Sequence, residues 1–409
     1  MSDAPLPPIN QTLLTGPVRR ALGSATVEVV DWQCGILHGG YGSASGGVYR
    51  VTGTGRDQGQ TVPWSLVLKI IGAPSGAGAL FASYFVDDSD SMPSGLHYWK
   101  REVLAYQSGL LAELPACLGA PRCFDIVEQR DADVWLWLEE IRDCSAPHWD
   151  LPQYGRAAYQ LGCFQGAYLA GRPLPDAPWL SRAWTREWVA RAAHAIEQLP
   201  GVRRHPLVER ICPPRVVHAL LQLWAEREAF LEALDRLPQT FCHHDVWRRN
   251  LLVRQMPTDS QQLVAIDWAG AGVGPVGDDL AHLVAASLDW FEVGMAQAQE
   301  LDAATFTSYV NGLSDAGWRG DAGLVRFGYT ASMALRYGVG FVPINLAFAL
   351  DQRNHAVVEH VWGASVGEVM EHGGAVYHFI CDRADEARRL LPNVKGMLAS
   401  SDRRDLHHA

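Results

Sequence analysis

An α+β fold in two parts is predicted by three features of this 409-residue chain. Short apolar stretches with strand-like alternation crowd residues 26–138, and helical periodicity takes over from about Leu151. One polar segment near residue 245 then interrupts the helices and runs into two more short strands. Strands first and helices second point to α+β architecture, with a boundary near residue 141 separating parts 1–141 and 142–409. Hydrophobic residues make up 48% of the chain, enough for a sizeable core.

In chain order, Thr26–Val30 with Ile36–Leu37 predicts a first strand, Gly47–Thr52 a second and Trp64–Ile71 a third. Between the first two lies Gly39-Gly40-Tyr41-Gly42-Ser43-Ala44-Ser45-Gly46-Gly47. Such a turn lets backbone N–H groups approach phosphates without Cβ obstruction, although a glycine-rich hairpin with no ligand reads the same way. It is not a Walker A loop, because Gly-Lys-Ser/Thr is missing. Lys69 is the only lysine in the third strand, where burial is costly without a partner; a strand-end lysine reaching solvent is the alternative. Residues 72–96, rich in Gly, Ser and Asp, predict an insertion, either a solvated linker or a substrate-facing flap.

His97–Leu111 predicts a helix whose apolar face carries Trp99, Val103, Tyr106 and Leu110, with Glu102 at its edge. Cys123–Val127 and Val134–Leu138 are further strands, and Trp135 and Trp137 share one face of the second. Val217, Leu220, Trp224, Leu231 and Leu234 form the stripe of a helix ending before Pro238. Another helix begins at Asp278 and Asp279, and more fill 291–312 and 324–350.

A net charge of −11 argues against nucleic acid or an anionic membrane as partner and is compatible with a cationic substrate. Eight scattered cysteines without a C-x-x-C pair predict reduced thiols and a cytoplasmic protein. The N-terminus shows no signal-peptide pattern, and Arg336 and Pro343 interrupt the apolar stretch 334–350, so no membrane span is expected.

The chemistry concentrates in Phe241-Cys242-His243-His244-Asp245-Val246-Trp247-Arg248-Arg249-Asn250-Leu251-Leu252, followed after a turn by Val264-Ala265-Ile266-Asp267-Trp268. If Leu251–Val253 and Leu263–Ile266 pair as a hairpin, Asn250 and Asp267 fall at the same end, with Asp245 on the loop entering it. An amide oxygen beside a carboxylate suits Mg²⁺, and a second carboxylate can orient or deprotonate a nucleophile. A solvated acidic loop and a zinc site on His243, His244 and Asp245 are the other readings; no second His/Cys cluster has ligand spacing.

This His-x-Asp-x-x-x-x-Asn pattern, then an apolar strand ending in Asp, resembles the catalytic and metal-binding segments of the aminoglycoside phosphotransferase and choline kinase superfamily. The resemblance implies a bilobal protein-kinase-like fold, with a β-rich N-terminal nucleotide-binding lobe, a helical C-terminal lobe and ATP in the cleft between them. It implies Asp245 as catalytic base, Asn250 and Asp267 as Mg²⁺ ligands, and Asp279 as a brace for the catalytic loop, with helix N-capping as the other reading of Asp279. Lys69 would contact the α/β-phosphates and pair with Glu102. Gly40, Gly42 and Ser43 would cover the phosphates, and the backbone from Glu139 to Ile141 would read the adenine. Arg248 or Arg249 would reach the γ-phosphate or form a solvent-facing pair. His243 would support the loop, and His244 stands where relatives often carry a small or polar residue.

The implied activity is ATP-dependent phosphorylation of a small-molecule hydroxyl on an aminoglycoside-like compound, amino alcohol, amino acid or sugar, by a monomer or homodimer. Asp289, Trp290 and Glu292 are candidates to meet a cationic acceptor. The alternatives are a nucleotide-binding pseudokinase acting as sensor or scaffold, and a metal-dependent hydrolase using the same acidic pair.

Overall fold

A computed structural model describes residues 6–38, 45–72, 92–129, 133–257 and 260–405. Gly40, Gly42 and Ser43 lie outside the described residues, as does 73–91 of the expected insertion. The chain divides into two units. The first comprises residues 1–114, 118–144 and 252–269, and the second 115–117, 145–251 and 270–409. The division is therefore not a single cut, because the chain returns to the first unit at Leu252.

The first unit is built on an antiparallel sheet with strand order β1-β2-β3-β6-β5. Its strands are β1 Glu28–His38, β2 Ser45–Asp57, β3 Gln60–Ile71, β5 Cys123–Glu128 and β6 Val134–Glu139. The first strand, expected in two pieces, is continuous, and its register shifts after Val29 and after Ile36 absorb the polar stretch as irregularities. Alternation along β6 sends Trp135 and Trp137 into one core cluster and Leu136 and Leu138 into another. The first cluster also holds Leu14 and Val18 from α1, Gln11–Leu22, a helix the sequence reading missed. Asn10 caps its N-terminus, and Gly23, at φ +66°, ends it in the left-handed conformation.

The expected helix over His97–Leu111 is shorter: α2 spans Arg101–Gln107. The reason is Arg101, which is fully buried. Its guanidinium takes the carbonyls of Gly95, Leu96 and Ala269, so the chain before it bends around the cation. A smaller sheet in this unit has the order β4-β9-β8, with β4 Leu118–Gly119, β8 Leu251–Gln255 and β9 Gln261–Ala265. The neighbouring positions of β8 and β9 match the strand pair expected from sequence.

The second unit is mostly helical. A capping box of Asp150 and Gln153 starts α3, Leu151–Leu169. It packs closely on α7, Ala298–Asp315: a Cβ at Gly162 would meet the Tyr309 carbonyl at 2.2 Å, and one at Gly312 the Tyr159 carbonyl at 2.1 Å. Between them in sequence come α4, Trp184–Arg191; α5, Pro214–Asp235, the striped helix; and α6, Asp278–Asp289. Strands β7, Gln239–Cys242, and β10, Gly272–Pro275, pair antiparallel.

Helix α6 is buried from Asp278 through Leu288, the profile of a central core helix. The stretch expected as one helix over 324–350 is three pieces: α8 Ala322–Met333, a π-helical segment Ala334–Gly340, and α9 Val342–Leu350. By length and composition 322–350 is apolar enough to cross a bilayer, and 72% of its most apolar window is buried inside the protein. A 40-residue helix, α10 Val366–Asp405, closes the described chain.

Candidate active site

The first unit holds a charge cluster of its own. Lys69 reaches Glu102 Oε2 at 2.5 Å from β3 to α2, and Asp267 Oδ1 at 2.9 Å just beyond β9. The lysine side chain is 11% exposed and that of Glu102 3%, whereas Asp267 is 42% exposed. Burial works against the ammonium, but the Asp267 and Glu102 charges outweigh it and push the Lys69 pKa upward. The strand lysine thus has two anionic partners, and the solvent-reaching alternative does not hold. Asp267 sits at φ +63°, in the left-handed region that aspartate tolerates better than most residues.

Glu139, at the end of β6, accepts from Arg254 at 2.9 Å and from the Arg122 backbone at 3.1 Å. Its side chain is committed to holding the strand end, and Ile141 beyond it is half-buried.

The second unit, taken by itself, holds a carboxylate met by neutral groups. Asp245 Oδ1 lies 2.9 Å from His282 Nε2, and Asp245 Oδ2 accepts from Asn250 Nδ2 at 2.8 Å. The same amide nitrogen donates to the Asp245 carbonyl at 2.9 Å. A carboxylate only accepts, so this fixes the amide orientation and leaves Asn250 Oδ1 outside both bonds. Burial raises the cost of charge on Asp245, but the His282 hydrogen bond and the Arg336 charge outweigh it and bring the pKa down to about 2. Its side chain stays 39% exposed. The arrangement is an anionic, oriented, accessible carboxylate.

The loop carrying Asp245 is pinned from α6. Asp279 Oδ1 accepts the His244 N–H at 2.7 Å, and Oδ2 accepts the His243 N–H and Gln165 Nε2, each at 2.9 Å. Asp279 braces the loop through its backbone, while Asp278 takes the His244 side chain at 2.8 Å. His243 Nδ1 accepts the Asp245 N–H at 3.2 Å, a supporting contact. His244 holds φ +62°, where glycine is the unstrained choice. It keeps that conformation by stacking on Trp184 at 5.0 Å, in addition to the Asp278 bond and an Arg336 bond to its carbonyl at 2.6 Å. Among the described residues Cys242, His244 and Asp279 cluster within 4.8 Å, but the Asp279 oxygens already serve three N–H donors.

The two arginines have different fates. Arg248 is buried, bonds Ser145, Ala146 and Leu251, and lies 4.7 Å over Trp149. Arg249 is exposed, pairs with Glu292 at 2.8 Å, and covers Trp247 and Trp290. They are not a solvent-facing pair. Asp289 has no hydrogen-bond partner among the described residues, and burial raises its pKa to about 7. Beside it in sequence, Trp290 stacks on Trp362 at 4.6 Å.

Sequence reading missed His282, Arg336 and Tyr337. His282 was within reach: it follows Asp279 by three residues on one helix, so the two share a face.

The family model described as "Phosphotransferase enzyme family" matches residues 48–324, well over half of the chain. The chain belongs to this family. It is a phosphotransferase whose acceptor is a small-molecule hydroxyl. No curated protein sequence matches it. Among solved structures the phosphotransferase is similar to a choline kinase from Cryptosporidium parvum Iowa II, at 11% identity and TM-score 0.52 over 95% of this chain and 99% of that one. At that identity the likeness shows the fold, which is α+β and kinase-like. It is also similar to an aminoglycoside phosphotransferase from Alicyclobacillus acidocaldarius, at 15% identity, TM-score 0.47 and 98% coverage of both chains. A further match is the amicoumacin kinase hAmiN in complex with AMP-PNP, Ca²⁺ and Ami, at 12% identity, TM-score 0.47, and 85% and 88% coverage.

Proposed function

We propose that this phosphotransferase moves the γ-phosphate of ATP to a hydroxyl of a cationic small molecule, with Asp245 as base. The observation carrying this reading is the state of Asp245: ionised, half-exposed, and oriented through both oxygens. The acceptor O–H proton passes to the carboxylate, the acceptor oxygen bonds to the γ-phosphorus, and the bond to the β-phosphate oxygen breaks, releasing ADP. A base with a pKa near 2 suffices, because a loose transition state asks for positioning more than basicity.

Lys69, held by Glu102, contacts the α/β-phosphates, and Gly40, Gly42 and Ser43 cover them. The backbone at Glu139 and Ile141 reads the adenine. Asn250 Oδ1 and the accessible Asp267 carboxylate are hard oxygen donors of the kind Mg²⁺ takes, so the residues fit that cation. When bound, Mg²⁺ supplies charge neutralisation at the phosphates. Support for a cationic acceptor comes from Asp289, a carboxylate with no hydrogen-bond partner among the described residues and next in sequence to the Trp290 that stacks on Trp362, and from the net charge of −11.

The test is transfer of label from γ-labelled ATP with Mg²⁺ into pooled aminoglycosides, amino alcohols, hydroxy amino acids and sugars. Labelled product from a cationic pool that disappears in Asp245→Asn is the expected result. Label confined to neutral sugars would overturn the acceptor class, and equal label in Asp245→Asn would overturn the base.

A further inference from the structure

The proposed chemistry leaves two buried side chains without a role. His282 on α6 and Tyr337 in the π-helical segment are 5% and 3% exposed, and together they lead from the core to Asp245. Tyr337 Oη lies 2.6 Å from His282 Nδ1, and His282 Nε2 lies 2.9 Å from Asp245 Oδ1.

We propose that His282 and Tyr337 are positioning residues for the base: Tyr337 donates to His282 Nδ1, fixing the Nε2–H tautomer, which donates to Asp245 and holds its carboxylate in one orientation. The proposal rests on the reading of Asp245 as base. Direction follows from chemistry, since an ionised carboxylate can only accept and His282 Nε2 must carry the proton. Burial and the nearby Arg336 charge lower the His282 pKa to about 4, so at neutral pH its Nδ1 is an acceptor and the phenol is the donor.

The backbone supports the same conclusion. A π-helical turn is rare and costs regular hydrogen bonding, so its presence calls for a local reason. Here the wider turn brings consecutive side chains closer in direction than an α-helix would, and both serve the Asp245 loop. Arg336 bonds the His244 carbonyl, and Tyr337 bonds His282. Tyr337 is itself fixed by stacking on Phe341 at 4.6 Å. Asn250 holds one carboxylate oxygen and His282 the other, so losing either bond frees a rotation.

The experiment uses the full chain with selectively ¹⁵N-labelled histidine at pH 7, His282 being assigned by the signal lost in His282→Gln. The expected spectrum shows Nε2 protonated and Nδ1 bare, with mixed tautomers in Tyr337→Phe. In parallel, phosphate release from ATP with Mg²⁺, water being the acceptor, is measured for each variant. His282→Ala is expected to lower kcat about tenfold to a hundredfold with KM for ATP little changed, and His282→Gln, which still presents an N–H, to recover most of it. Tyr337→Phe should cost severalfold alone and nothing further in the His282→Gln background.

An Nδ1–H tautomer, a spectrum indifferent to Tyr337→Phe, or a Gln variant no better than Ala overturns the proposal. If those variants fail while Asp245→Asn still abolishes turnover, the positioning claim alone falls. Retained turnover in Asp245→Asn overturns both.

Discussion

Lys69 and Asp245 are the ionisable centres of the two units, and the protein holds them in opposite ways. Lys69 is buried against two carboxylates, so charge is met by charge. Asp245 is met by a neutral imidazole and an amide, and its loop hangs on backbone N–H groups. A buried ion pair fixes a group firmly but leaves a stranded charge when one partner is lost. Neutral donors orient a carboxylate while leaving it able to take a proton. The first arrangement suits a fixed cation, and the second suits a group that must react.

The sharpest way to break this contrast is to remove the brace under the reactive side. Asp279→Asn places an amide against three N–H donors, and burying unsatisfied donors costs about 1–3 kcal/mol each. The expected urea-denaturation result is the largest loss of stability in the series, with turnover abolished in whatever folds. Next comes Lys69→Met. It strands Glu102, which is 3% exposed, and should cost about 3–5 kcal/mol. Adding Glu102→Gln should return much of that stability without returning nucleotide affinity; calorimetry on both variants reads the two effects separately.

Acid acts on two buried carboxylates of the second unit with opposite signs. The Asp278 pKa stands at about 2 in the folded protein against an ordinary 3.8: burial opposes its charge, but the His244 bond and the Arg336 charge prevail. Because the folded value is depressed, the stabilisation is present above about pH 4 and disappears as pH falls toward 2. Urea midpoints should therefore separate wild type from Asp278→Asn at pH 5 and converge near pH 2.5. Asp289 has the opposite sign. Its pKa is raised to about 7 by burial, so ionisation opposes folding and stability declines as pH rises from about 4 to 7. Asp289→Asn is expected to melt a few degrees higher than wild type at pH 8 and equally at pH 4, the one stabilising change of the four.

How much of this was legible in the sequence follows the same division. A single lysine in an apolar strand announces its need for a partner, and the spacing of His243, Asp245 and Asn250 marks a local constellation. The sheet and its alternating faces followed from period-two patterning. The helix expected from His97 failed because a buried arginine in mid-pattern reorganised the chain before it, which local periodicity does not register. The π-helical turn was hidden for a related reason: an apolar run reads as continuous helix, and only tertiary contacts from Arg336 and Tyr337 reveal the added residue. His244 at positive φ was also unreadable, because Trp184, which stabilises it, lies 60 residues away in sequence.

The most direct measurement of the account pairs two numbers on the same preparations: ATP affinity with Mg²⁺ by calorimetry, and single-turnover phosphate transfer, for wild type, Asp245→Asn and Lys69→Met. Asp245→Asn is expected to lose about a thousandfold or more in rate at unchanged affinity, while Lys69→Met loses affinity. Parallel loss of rate and affinity in Asp245→Asn, or a rate that survives it, would contradict the assignment of the reactive role to the neutral-held carboxylate.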